Sequence, residues 1–164
     1  MSEEATNLPD IGIEPLKLRA MDAEDLAVLS ARLQDAIVPV SDMAFLPEER
    51  RFALVANRFL WESMRRKTTE AGSQDAVYLR RNCGLRFEAV TAVRRRGIDL
   101  RDRERMLDLL AIRWHRDAVQ LDFAGDATLR LEVEKLHCFA EDIGDPWPTA
   151  RRPTHRFDDE GETS

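Results

Sequence analysis

The strongest constraint in this chain is a period of two. In VYLRRNCGLRFEAV, residues 77–90, Val77, Leu79, Cys83, Leu85, Phe87 and Ala89 share one parity, Tyr78, Arg80, Asn82, Arg86 and Glu88 share the other, and only Arg81 is out of step. Successive side chains of a strand point to opposite faces, so the pattern predicts a strand with one face buried and one wet. The alternation runs on through TAVRRR to Gly97 and returns in MLDLLAIRW (106–114), VQLDF (119–123) and TLRLEV (128–133). Its joins are short: 115–118 is polar, and Gly125-Asp126 reads as a two-residue hairpin with glycine first, as a type II′ turn requires. Consecutive hairpins make antiparallel sheets.

Upstream, LKLRA (16–20) suits a short strand, and a helix follows. Asp22 is a good N-cap, Glu24 and Asp25 favour the positive end of the helix dipole, and Leu26, Leu29, Leu33 and Ile37 make one apolar stripe. Pro39 bars its continuation, and IVPVSDMAFLPEERRFALVANRFLWE reads as a hairpin with strands near 37–46 and 51–61 around a Pro-Glu-Glu-Arg corner. Residues 63–76 lose apolar content and read as an exposed loop. In HCFAEDIGDPW, residues 137–147, the preceding Leu136 joins Phe139, Ala140 and Ile143 in an i, i+3, i+4, i+7 stripe; Gly144 supplies a C′ position and Pro146 a stop. The segment therefore reads as a short closing helix that turns Cys138 and Asp142 to water, sets His137 and Glu141 on its flank, and is pinned to the sheet by Trp147.

One domain, 15–148, is expected between a mobile lead-in (1–14) and a polar tail (149–164). The fold class is α+β: an N-terminal helix, a mainly antiparallel sheet of six or seven strands or a small pleckstrin-homology-like barrel, and a short C-terminal helix.

Charge is unevenly spread. Residues 50–105 hold 15 Lys+Arg against 7 Asp+Glu, a balance of +8, which leaves 10 against 24, or −14, in the flanks of a chain of net charge −6. Acidic elements lying beside basic ones is the favoured explanation, and a site for an anion is the other. Arg65, Arg66, Lys67, Arg94, Arg95 and Arg96 are the anion-binding candidates, because guanidinium forks match phosphates and carboxylates. Asp99, Asp102 and Glu104 stand ready to balance the last three. No apolar run approaches the roughly 20 residues of a bilayer span, and MSEEATNLPDIG is acidic where a secretory leader would be basic and then greasy. The expectation is a cytoplasmic protein without a membrane partner, its two cysteines reduced.

The common nucleotide, serine-hydrolase, zinc-protease and CxxC motifs do not occur. Of the three histidines, His115 falls in a hairpin turn, His155 in the tail, and His137 alone has carboxylates and a thiol close in sequence. Glu132 and Glu134 share a strand face, but with Leu129, Leu131 and Val133 inward they read as its solvent side, as does Asp122. Cys83 belongs by parity to the buried face and is not a candidate nucleophile. No cofactor and no metal is expected.

LRFEAVTAVRRRGID, LLAIRW and EDIGDPWPT, with PTH shortly after, resemble an uncharacterised bacterial family of small cytoplasmic proteins classed as a domain of unknown function. The likeness runs from about Leu16 to His155. It implies a stand-alone single-domain protein and carries over no catalytic or binding residue. The functional expectation is a non-catalytic binding or adaptor module for a protein partner. An anion or nucleic-acid binder using the basic middle comes next, and an enzyme built on His137 or His115 last.

Overall fold

The computed structural model describes residues 14–60 and 78–149, so the lead-in but for Glu14, the loop at 63–76, and the tail but for Thr149 lie outside the described residues. Ten strands and one α-helix follow in the order β1 (Lys17–Ala20), α1 (Ala23–Arg32), β2 (Ile37–Pro39), β3 (Met43–Leu46), β4 (Arg51–Phe59), β5 (Tyr78–Phe87), β6 (Val90–Arg96), β7 (Met106–His115), β8 (Ala118–Phe123), β9 (Ala127–Val133) and β10 (Cys138–Thr149). They form one open antiparallel sheet of order β1-β10-β5-β4-β2-β7-β8-β9-β6, with β3 pairing β4 off the main path. This corrects the expected architecture: among the described residues there are ten strands rather than six or seven, the sheet is open rather than a pleckstrin-homology-like barrel, and the segment expected as a closing C-terminal helix is a strand.

The closing-helix prediction fails on β10. Residues 138–149 lie between β1 and β5, with Cys138 opposite Ala20 on one side and Phe87 on the other. A helix would leave the backbone edges of both neighbours open, whereas the inserted strand satisfies two ladders at once. Gly144, expected as a helix cap, sits with φ 71° in an irregularity where the register shifts between Ile143 and Trp147. Pro146, which has no N–H to give a ladder, falls in that same irregularity.

The chain changes halves of the sheet at two places that touch. Between β5 and β6, Ala89 adopts φ 59°. Glu88 N–H donates to His137 O, and Glu134 N–H donates to Ala89 O, both at 2.9 Å, which ties this bend to the one between β9 and β10. The stretch expected to run on to Gly97 is therefore broken, with β5 pairing β4 and β10 while β6 pairs β9. β2 is three residues long and bridges β4 and β7. The core draws on both halves, with Leu54, Leu85 and Phe87 from one and Leu109, Leu121, Leu129 and Leu131 from the other.

α1 starts as expected, Asp22 accepting from Asp25 N–H at 2.8 Å, but it ends at Arg32, short of the expected stripe residue Ile37, and Asp35 then turns left-handed at φ 68°. Its buried Leu26 and Leu29 face the core, and Ser30 Oγ accepts from Ile112 N–H at 2.9 Å, covering backbone of β7 beyond the reach of β2. The expected first strand of the 37–46 hairpin is interrupted after Pro39 by a 3-10 turn, so β3 makes the hairpin ladder with β4 while β2 touches β4 only at Ile37 opposite Asn57. The β8–β9 connection is also corrected. Phe123 pairs with Ala127, so the loop holds three residues, and both Gly125 (φ 84°) and Asp126 (φ 60°) are left-handed where a type II′ turn needs only the first.

Candidate functional site

Parity on β4 places Phe52, Leu54 and Ala56 inward, and Arg58 next in that row is driven inward with them, 0% exposed. On β10 the same rule sends Cys138, Ala140 and Asp142 inward. Arg58 Nε donates to Asp142 Oδ1 and Nη2 to Oδ2, both at 2.9 Å, and the Leu16 N–H donates to Oδ2 at 2.7 Å. Both charged side chains are wholly out of solvent. Burial works against ionising Asp142, but the Arg58 guanidinium and the Leu16 N–H outweigh it and hold the carboxyl below its usual range. Burial first, and then the charge of Asp142, push the Cys83 thiol up to about 12, and burial raises Cys138 as well. Thiols so placed are poor nucleophiles and poor metal ligands. This centre clamps β1, β4 and β10 together. It also corrects the prediction that Cys138 and Asp142 face water.

A second feature lies at the surface. β3 pairs in the sheet only with β4, and β6 only with β9, so among the described residues each keeps one edge without a strand partner, although the Val90 N–H at the start of β6 donates to Arg50 O at 2.9 Å. Between them is a cleft of about 180 Å³ lined by Met43, Ala44, Phe45, Phe52, Val93, Arg95, Leu100 and Arg103. Phe45 and Phe52 are a cross-strand pair and form its floor with Val93, the next residue of β6 on the Arg95 side. Leu100 and Arg103 come from the segment 97–105, which is held by Arg105 Nη1 donating to Gly97 O at 2.7 Å and Val40 N–H donating to Arg105 O at 2.9 Å.

The rim of this cleft carries two arginines, Arg95 and Arg103. Arg95 Nε donates to Ile98 O at 3.2 Å and Arg103 Nη2 to Ser41 O at 3.1 Å. Neither guanidinium has a carboxylate contact among the described residues. Asp99, the nearby acid in sequence, is hydrogen-bonded by the N–H and side chain of Arg101, which with a weaker pull from the charge of Arg95 hold its carboxyl below the usual range.

Of the other predicted residues, Arg94 pairs with Glu132 at 2.7 Å. Arg94 and Arg96 share one face of β6 and Arg95 takes the other, so the three do not converge on one anion. Arg65, Arg66 and Lys67 are outside the described residues. His115 ends β7, where its carbonyl accepts from Arg130 at 3.3 Å. His137 packs at a tilt against Phe139, with ring centroids 4.7 Å apart and the planes at 48°, and its Nε2 is buried without a hydrogen-bond partner among the described residues. No group of three or more His, Cys, Asp and Glu side chains there could hold a metal ion. No described helix is long and apolar enough to cross a membrane.

Sequence reasoning missed Arg58, Asp142 and Arg103. The first two carried a signal: Arg58 continues the inward parity of Phe52, Leu54 and Ala56, and an arginine there demands a buried acid. Arg103 gave none, because its place on the cleft is set by how 97–105 folds back. A family model described as "Protein of unknown function (DUF2948)" matches residues 16–155. No curated protein and no solved structure is similar enough to the chain to match it.

Proposed function

We propose that this chain, which belongs to the DUF2948 family of proteins of unknown function, is a non-catalytic binding module that takes a protein partner at the cleft between β3 and β6. The observation that carries the reading is the pair of unpaired strand edges on either side of an apolar floor. Unpaired N–H and C=O groups invite another strand, and apolar side chains beneath them supply the burial that holds it. Part of the exposed charge elsewhere is paired within the molecule: Arg50 pairs with Glu134, Arg51 with Glu49 and Glu88, Arg94 with Glu132, and Arg113 with Asp122.

The test is photo-crosslinking in the native host with a benzophenone side chain in place of Ala44 in the cleft, and separately in place of Lys135, remote from it in sequence and outside the cleft lining. A discrete protein adduct from position 44 that disappears with Val93→Glu is the expected result. No adduct, or the same adducts from both positions, would overturn the reading.

A further inference from the structure

The occupant can be narrowed by size, edge chemistry and charge. A cleft of about 180 Å³ is well under the roughly 300 Å³ at which small-molecule pockets begin, and it fits one large apolar side chain. An anchor that small needs further contacts outside the cleft, and the unpaired edges of β3 and β6 offer main-chain hydrogen bonds to an extended segment. The charge fixes the chemistry around the anchor. Residues 94–105 contain six arginines and no lysine against three acids, Asp99, Asp102 and Glu104, a surplus of three positive charges. Arg94 and Arg101 have carboxylate partners, whereas Arg95 and Arg103, the two that line the cleft, have none among the described residues. Each uses one N–H on a backbone carbonyl, which leaves the remaining donors of a planar fork for an incoming carboxylate.

We propose that the cleft between β3 and β6 binds an extended acidic peptide that adds as a strand, buries one aliphatic or aromatic side chain over Phe45, Phe52, Val93 and Leu100, and sets carboxylates against Arg95 and Arg103. This rests on the protein-binding reading and deepens it. Because side chains alternate along a strand, the carboxylates that share a face with the anchor stand two positions from it, so the recognised pattern is acid, spacer, apolar, spacer, acid. A carboxylate directly beside the anchor points to the other face and misses the arginines.

Two fluorescein-labelled peptides of equal composition, SESLSES and SSELESS, separate this from simple charge attraction when titrated by anisotropy into the full chain. SESLSES binds the tighter of the two. Arg95→Glu and Arg103→Glu each weaken it about tenfold, the scale expected when a well-placed ion pair at a rim is broken and reversed. The charge-reversed peptide SKSLSKS gains affinity for the double variant. Unchanged urea midpoints show that these exposed substitutions leave the fold intact. Equal binding of the two acidic peptides would overturn the register. Tighter binding of single-stranded oligothymidine than of SESLSES would overturn the choice of peptide. A dimer in sedimentation that Arg95→Glu dissolves would show a second copy of the chain as the occupant instead. If position 44 crosslinks a protein but neither acidic peptide binds, the inference on the occupant fails while the protein-binding reading stands. If position 44 captures nothing, the protein-binding reading fails and the inference built on it falls with it, even where SESLSES binds.

Discussion

Arg58 and Arg103 come from the same basic middle of the chain and meet opposite fates. Arg58 lies in a regular strand between two others, and the inward parity of β4 leaves it no route to water, so the fold must bring a carboxylate to it. Asp142 meets it in fork-to-fork geometry and is itself fixed by the first backbone N–H of the β1 region. Arg103 stands on a segment without ladder partners, keeps contact with solvent, and among the described residues donates to the Ser41 carbonyl rather than to a carboxylate. A charge whose position is dictated by a strand face has to be neutralised inside the molecule. One on a surface segment can remain available to another molecule.

The largest effect expected is from breaking the buried pair. Asp142→Ala leaves the Arg58 charge uncompensated and also removes the acceptor for Leu16 N–H, and such a loss costs about 3–5 kcal/mol. Urea denaturation should show it as a lower midpoint at unchanged slope, and a loss under about 1 kcal/mol would mean that the pair is not the clamp the geometry describes. Replacing both partners by apolar residues, Arg58→Met with Asp142→Leu, should recover most of that loss, because no charge is then left buried. A double variant no better than Asp142→Ala would point to hydrogen bonding of the β1 backbone as the dominant contribution.

Acid sharpens the contrast further. The folded carboxyl of Asp142 is held below its usual range, so the folded state binds fewer protons here than the unfolded chain, whose carboxyl titrates near roughly 3.9. Its stabilisation is therefore fully present above that value and is lost as pH falls through the depressed folded one. Unfolding midpoints of the native chain should drop more steeply below about pH 4 than those of Asp142→Asn, and parallel curves would sink the assignment. The smallest change belongs to the rim: Arg103→Ala should move stability by no more than about 0.5 kcal/mol, as for other exposed positions without a special role. A shift as large as that of Asp142→Ala would erase the distinction between the two arginines.

The sequence by itself determined the run of hairpins from β7 to β9, because period-two alternation and short turns are local and leave one solution for each strand. It also determined the start of α1, where Asp22 and the leucine stripe act within a few residues of each other. It did not determine β10. Leu136, Phe139, Ala140 and Ile143 satisfy a helical stripe, while Cys138, Ala140 and Asp142 satisfy a strand, and only the open backbone edges of β1 and β5 on either side choose between them. Burial of Asp142 follows from that choice and from Arg58, which lies 84 positions away. Nor did the sequence show the cleft, since β3 and β6 face each other only after the chain has crossed between the two halves of the sheet. Local patterns fix an element when its own neighbours supply the driving force. Where the force is a backbone edge or a buried countercharge from a distant segment, the tertiary structure decides.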